Sequence, residues 1–222
     1  MNQEIWTAVD QYFGEIVLPR DPALDAALAS SAAAKLPSIN VSPMQGQFLH
    51  LLARIAGAKK ILEIGTLGGY STIWLARALP VDGKLITLEL DPRHAKVAQA
   101  NINGAGLGKM VEIRVAPAIE SLPKLAAEKS GPFDFIFIDA DKPSTMDYFS
   151  WAMKLSRVGT VIVVDNVVRE GAVIEEYSSD PAVQGIRKFN DYLKTEQRVV
   201  ASAIQTVGSK KYDGMVIVQR VK

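Results

Sequence analysis

From residue 59 onward, short apolar runs alternate with helical stretches, and that alternation constrains the fold more than any other feature. The runs are KKILEIG (59–65), KLITLEL (84–90), VEIRVA (111–116), FDFIFID (133–139) and TVIVVD (160–165). Between them, apolar residues recur at helical spacing over roughly 70–79, 92–104, 118–128 and 144–156. Strand then helix, repeated, builds a parallel sheet with helices on both faces. A further helix around 181–195 leads to VVASAIQT (199–206) and GMVIVQRV (214–221). These are two closing strands, an antiparallel hairpin at one edge, with SKKYDG (209–214) as its turn. The first 58 residues read as helices over 4–14, 22–36 and 43–56. Pro22 and Pro43 fall where a first helical turn tolerates proline, and Asp21 and Ser42 precede them as N-caps. The expectation is one α/β domain over 1–222, with a helical cap (1–58) on an α/β core (59–222).

Composition narrows the function classes. The chain has 25 Lys+Arg against 24 Asp+Glu and a net charge of +1, so it lacks the basic field of a nucleic-acid binder. The absence of cysteine excludes disulfides, thiolate zinc sites and a cysteine nucleophile. Two histidines, His50 and His94, leave imidazole metal sites poorly supplied. MNQEIWTAVDQYF carries acids and lacks a basic start followed by an apolar core, so no secretory signal is expected. No apolar run approaches the ~18–20 residues of a membrane span. The expected location is the cytoplasm, with no membrane or nucleic-acid partner.

The segment EIGTLGGYS (63–71) follows the first strand and opens a helix. Its glycines let the backbone turn tightly and approach a ligand, and the helix N-terminus adds positive potential. The dinucleotide fingerprint G-x-G-x-x-G fails, because Leu67 and Tyr70 stand at its second and third glycine positions. Glu63 beside the turn would repel a pyrophosphate and suits an amine-bearing ligand; a plain strand-to-helix turn is the other reading. Glu89 ends the second run, and an acid about 20 residues beyond such a turn is placed to bind ribose hydroxyls. The two features point to a nucleoside ligand without requiring phosphates, and S-adenosylmethionine (SAM) fits.

The fourth run ends in FIDADK (137–142) and the fifth in VVDNVV (163–168). If these strands are neighbours, about 4.8 Å apart, Asp139 and Asp165 emerge side by side at one carboxyl edge, and Asn166 adds an amide oxygen. Two carboxylates and an amide form a hard oxygen set suited to Mg²⁺, Ca²⁺ or Mn²⁺. The alternative is that Asp139 bonds a ligand and Asp165 caps a loop. Lys142, just past the strand tip, is either a base whose pKa a nearby cation lowers, or a surface lysine.

LEIGTLGGYS, LELDP, FDFIFIDADK and TVIVVDNVV together resemble the cation-dependent, SAM-dependent O-methyltransferases, the group of the caffeoyl-CoA and catechol enzymes, and in particular their small bacterial branch. The resemblance runs from about residue 39 to the C-terminus. It implies a Rossmann-like class I methyltransferase fold, with a seven-stranded, mostly parallel sheet, and a homodimer. Cofactor contacts then fall on Val41, Glu63, Gly65, Ser71, Glu89, Ala118, Asp139 and Asp141. Metal ligands fall on Asp139, Asp165 and Asn166, and the base on Lys142, so that Lys142 and Asp139 form the catalytic pair. The chain departs from the family in starting 116–118 with Ala-Pro-Ala, and in carrying Arg169 where plant acyl-CoA enzymes tend to have an aromatic. The second departure argues against a caffeoyl-CoA acceptor.

The expected reaction is methyl transfer to a catechol-like phenol that chelates the cation through vicinal oxygens. The acceptor pocket would draw on the N-terminal cap, the loop after Asn166 and the SKKYDG turn, with Trp151, Arg169 and Tyr212 as candidate walls. A nicotinamide-dependent oxidoreductase on the same sheet is the alternative, disfavoured by the failed fingerprint. A nucleic-acid methyltransferase and a non-catalytic binding protein are weaker still.

Overall fold

The computed structural model describes residues 2–222. Strands β1 (Lys60–Ile64), β2 (Lys84–Glu89), β3 (Val111–Val115), β4 (Phe133–Ile138) and β5 (Ser156–Asp165) alternate with helices α4 (Tyr70–Ala78), α5 (Pro92–Gly104), α6 (Ala118–Ala127) and α7 (Thr145–Leu155). Helix α8 (Pro181–Leu193) precedes β6 (Val199–Gly208) and β7 (Lys211–Arg220). The sheet order is β3-β2-β1-β4-β5-β7-β6, parallel through β5 and antiparallel at β7 and β6. The order reverses between β1 and β4, and the carboxyl ends of the parallel strands meet at that switch point.

Alternation along the strands feeds two cores. Ile61, Leu85, Phe135, Phe137 and Val163 face α2 to α5, while Leu62, Ile64, Ile136, Ile138 and Val164 face α6 to α8. The cap consists of α1 (Gln3–Val17), α2 (Pro22–Ala33) and α3 (Pro43–Ile55). Asp21 caps α2 through Ala23 N–H, and Ser42 with Gln45 forms a reciprocal capping box on α3. The cap is bolted to the glycine turn. Asn101 of α5 donates to the carbonyls of Gly68 (2.8 Å) and Ala27 (3.4 Å) and accepts from Ser30 Oγ (2.7 Å).

The structure corrects three sequence expectations. SKKYDG is not a turn: β6 and β7 pair until Gly208 faces Lys211, so only Ser209 and Lys210 connect them. Lys211, the first residue of β7 after this connection, has a positive φ (72°). Strand β5 begins at Ser156, ahead of the apolar run, with a register shift against β4 between Phe133 and Phe135. A short 3-10 stretch, Arg169–Ile174, occupies what looked like a plain loop.

Candidate active site

Two cavities open on the carboxyl edge of the sheet. The first, about 680 Å³, lies over the tips of β1, β2 and β4. The second, about 720 Å³, lies between α3, the β6–β7 turn and the tip of β5. Ile39, Asn40, Val41, Asn166 and Arg169 line both, so one wall separates them.

In the first cavity, the sequence set the geometry through its glycines and one acid. Gly65 has φ 101°, and a Cβ there would lie 2.0 Å from the Asp139 carbonyl oxygen. Only glycine lets β1 turn this close to β4. Glu89 braces the turn that follows. Its Oε2 accepts from Leu67 N–H (2.7 Å) and Thr66 N–H (3.2 Å), and its Oε1 accepts from Asp91 N–H (2.9 Å). His94 Nδ1 lies 3.4 Å from the same Oε1. Val41, Gly65, Ser71, Glu89, Ala118, Asp139 and Asp141 all line this cavity.

Glu63 does not line it. The residue is wholly buried beneath the turn, where it accepts from Ser71 Oγ (2.7 Å), Thr72 Oγ1 (2.5 Å) and Thr87 Oγ1 (2.7 Å). Burial raises its pKa to about 7, against the pull of those hydroxyls. Its reach to the cavity passes through Ser71, so the direct contact expected of it becomes an indirect one.

The strand adjacency assumed for the acids holds. Ile138 pairs with Val164, which sets Asp139 and Asp165 at neighbouring tips. Asp165 is 2% exposed and lines the second cavity, whereas Asp139 lines the first. Burial, with the nearby Asp139 second, pushes the Asp165 pKa up to about 8. Asn166 stands on the shared wall with φ 58°, a conformation asparagine tolerates better than most residues. Among the described residues no three His, Cys, Asp or Glu side chains converge, so the oxygen set here is two carboxylates and one amide. Lys142 Nζ lies 2.9 Å from Asp139 Oδ1, so this side chain is paired and largely covered, not a free surface lysine. Helix α8 holds that residue in place: a Cβ on Gly185 would lie 2.2 Å from the Lys142 carbonyl oxygen.

Of the other wall candidates, Arg169 lines both cavities, but Trp151 and Tyr212 line neither. Lys154 sits over the Trp151 ring at 4.2 Å, and the Tyr212 hydroxyl donates to Gln205 across the hairpin. The sequence reading missed Tyr148, whose hydroxyl donates to Asp141, and His94, near Glu89. It also missed Asp213, whose Oδ1 accepts from the N–H groups of Val168 (2.9 Å), Arg169 (3.0 Å) and Gly214 (2.9 Å) and so fixes the loop after Asn166. Asp213 sat unnoticed inside the supposed turn. His94 was visible as one of only two histidines and stood just after LELDP.

A family profile described as O-methyltransferase matches residues 20–221. The chain belongs to the O-methyltransferase family. A catechol O-methyltransferase of Niastella koreensis is 56% identical over 217 residues, covering 98% of each chain. An O-methyltransferase of Bacillus cereus solved in complex with SAH superposes with a TM-score of 0.97 at 55% identity, covering 99% of this chain and 100% of that one. One from Streptomyces achromogenes, solved with SAM, superposes with a TM-score of 0.97 at 47% identity, covering all of both chains.

Proposed function

We propose that this chain transfers the methyl group of SAM to a phenolic oxygen of a catechol-like small molecule, with a divalent cation held by Asp139, Asp165 and Asn166. Mg²⁺ is the first choice and Ca²⁺ or Mn²⁺ the substitutes. The observation that carries the reading is the buried Asp165 in the second cavity, at the strand tip next to Asp139 in the first. Ionising both carboxyl groups in so poorly solvated a place is unfavourable without a cation, and an all-oxygen set suits a hard one. When bound, the cation would act as a Lewis acid that orients vicinal oxygens and lowers a phenol pKa from about 10.

The chain's own groups supply the rest. Glu89 would accept ribose hydroxyls while its other hydrogen bonds hold the turn. Val41 and Asn166, on the shared wall, would set the distance between methyl and acceptor oxygen. As that oxygen takes the methyl, its proton would pass to Nζ of a neutral Lys142. Positioning of this kind can contribute ~7–11 kcal/mol in favourable cases. The glycine turn lacks the pattern that the oxidoreductase reading needs. Among the described residues no helix is long and apolar enough to cross a membrane. We place the enzyme in the cytoplasm as a homodimer, acting on a small molecule and not on nucleic acid. The half-exposed apolar side chains Ile5, Val9, Phe13 and Ile16 of α1 support self-association.

A panel of catechols and monophenols with labelled SAM, with and without chelator, tests the reading. Catechols should be methylated and monophenols not. Chelation should abolish turnover, and Mg²⁺ or Mn²⁺ should restore it. Full activity in excess chelator would refute the metal role.

Two further outcomes follow from named side chains. Glu89→Ala should weaken SAM binding by about tenfold or more, because hydrogen bonds to charged groups contribute about 1.5–3 kcal/mol. Unchanged affinity by calorimetry would remove Glu89 from the cofactor site. Lys142→Arg should lose most of kcat despite keeping its charge, because guanidinium does not deprotonate. An arginine variant with near wild-type kcat would show that positive charge alone is needed.

A further inference from the structure

Three basic residues, Arg169, Lys210 and Lys211, line the second cavity, and none of them joins an ion pair among the described residues. Arg169 stands on the shared wall; its Nε is buried without a hydrogen-bond partner, and its guanidinium joins no ion pair among the described residues. Nε itself is closed off from the cavity, so an acidic group there would be met by the terminal nitrogens of a guanidinium that no carboxylate of the described residues pairs. The backbone is arranged to hold it there. Arg169 has φ 56°, a left-handed value that costs a residue with a Cβ, and its N–H donates to Asp213 Oδ1 at 3.0 Å. Lys210, on the two-residue turn, lines the second cavity only. Its Nζ reaches the Ser38 carbonyl at 3.2 Å and has no acid partner among the described residues. Burial lowers its pKa.

The acids on the same wall are already engaged. Asp213 Oδ1 accepts three backbone N–H groups, and Asp10 Oδ2 accepts from Ser209 N–H at 2.8 Å. Asp165 belongs to the oxygen set described above.

We propose that the acceptor carries a carboxylate, read by the guanidinium of Arg169 with Lys210 as a second positive charge in the same cavity. This rests on the reading of the chain as a catechol methyltransferase and narrows it to dihydroxyaryl acids over neutral catechols and thioesters. A planar guanidinium matches a carboxylate with two parallel N–H donors, a fit that no neutral head group reproduces. The methionine end of SAM is the other source of a carboxylate within reach, since Arg169 also borders the first cavity. Lys210 does not border it, so the cavity that the two cations share is the acceptor's.

The test compares 3,4-dihydroxybenzoate with its neutral amide, by calorimetric titration into the protein loaded with SAH and Mg²⁺ and by turnover with SAM. The wild type should bind the acid about tenfold or more tightly than the amide, the size of one charge-assisted hydrogen bond. In Arg169→Gln that ratio should fall toward one. Arg169→Lys should keep part of it, and circular dichroism and thermal melting of both variants check the fold. Equal affinity for acid and amide in the wild type overturns the proposal while leaving catechol methylation standing, provided both are methylated. A preference that survives Arg169→Gln also overturns it. So does a loss of SAM affinity in that variant with the acid-to-amide ratio unchanged, which would give the guanidinium to the cofactor. If neither compound is bound or methylated, the catechol reading fails together with this one.

Discussion

Asp165→Asn is expected to yield a protein that melts higher and works far less. In the metal-free protein, the wild-type carboxyl is buried, and its pKa is raised from 3.8 to about 8. An acid whose native pKa lies above its unfolded value binds more protons folded than unfolded, so its contribution to stability falls as pH rises through that window. Below pH 3.8 the two states are equally protonated and the variant gains little from this source. Between there and about pH 8 the melting temperatures should diverge, and above pH 8 the gap should level off at its largest value. Turnover should drop at least about a hundredfold, because a metal ligand charge is lost and several kcal/mol of charge stabilisation with it. Thermal melts in chelator from pH 5 to pH 9, beside initial rates in Mg²⁺, read both effects. A variant that melts below wild type at pH 9 would show that Asp165 stabilises the metal-free fold. On the expected outcome, with the variant melting higher and turning over less, Asp165 is a site where activity is gained at the expense of stability, a common bargain in enzymes.

Gly65→Ala should be the most damaging single methyl in the molecule. The added carbon would stand 2.0 Å from the Asp139 carbonyl oxygen, and the φ of 101° is one that alanine adopts only under strain. Backbone strain and overpacking each cost about 1–3 kcal/mol, so a total near 3 kcal/mol or above is expected. The melting temperature should fall by about 6–12 °C, and SAM affinity should fall with it. Gly57→Ala is the control. Gly57 also has positive φ (61°), but a Cβ there meets nothing within 4 Å. If the two variants melt alike, the close approach of β1 to β4 is not what fixes glycine at position 65.

The contrast between these two glycines shows what a sequence can and cannot tell. Both are glycines after an apolar or helical stretch, and nothing local separates them. The strand runs were legible because their period and residue types are local signals, and the observed β1 to β4 end within about two residues of the expected bounds. Asp21 and Ser42 were legible as caps for the same reason. Asp139 and Asp165 were legible because a parallel sheet brings strand tips together once the strands are known. The Glu63 hydrogen bonds to Ser71, Thr72 and Thr87 were not, since burial of a carboxylate under a turn depends on side chains from two strands and a helix. The hairpin was misjudged because SKKYDG is rich in turn-favouring residues, yet pairing with β6 carries the strand through Tyr212 and Asp213. Arg169 was noticed for its difference from plant relatives; its lack of a partner emerged only from the surrounding geometry.

The bolt between Asn101 and the carbonyls of Gly68 and Ala27 has a consequence for anyone wishing to re-engineer this scaffold. It ties α2, early in the chain, to the glycine turn beside the first cavity, so α2 cannot be exchanged without disturbing that turn. The second cavity is enclosed by other parts: Asp10 of α1, the start of α3, and the Ser209–Lys210 connection. Grafting those pieces from another member of the family should therefore transplant acceptor choice while the donor half stays untouched, with the seam running between α1 and α2 at Leu18 to Asp21.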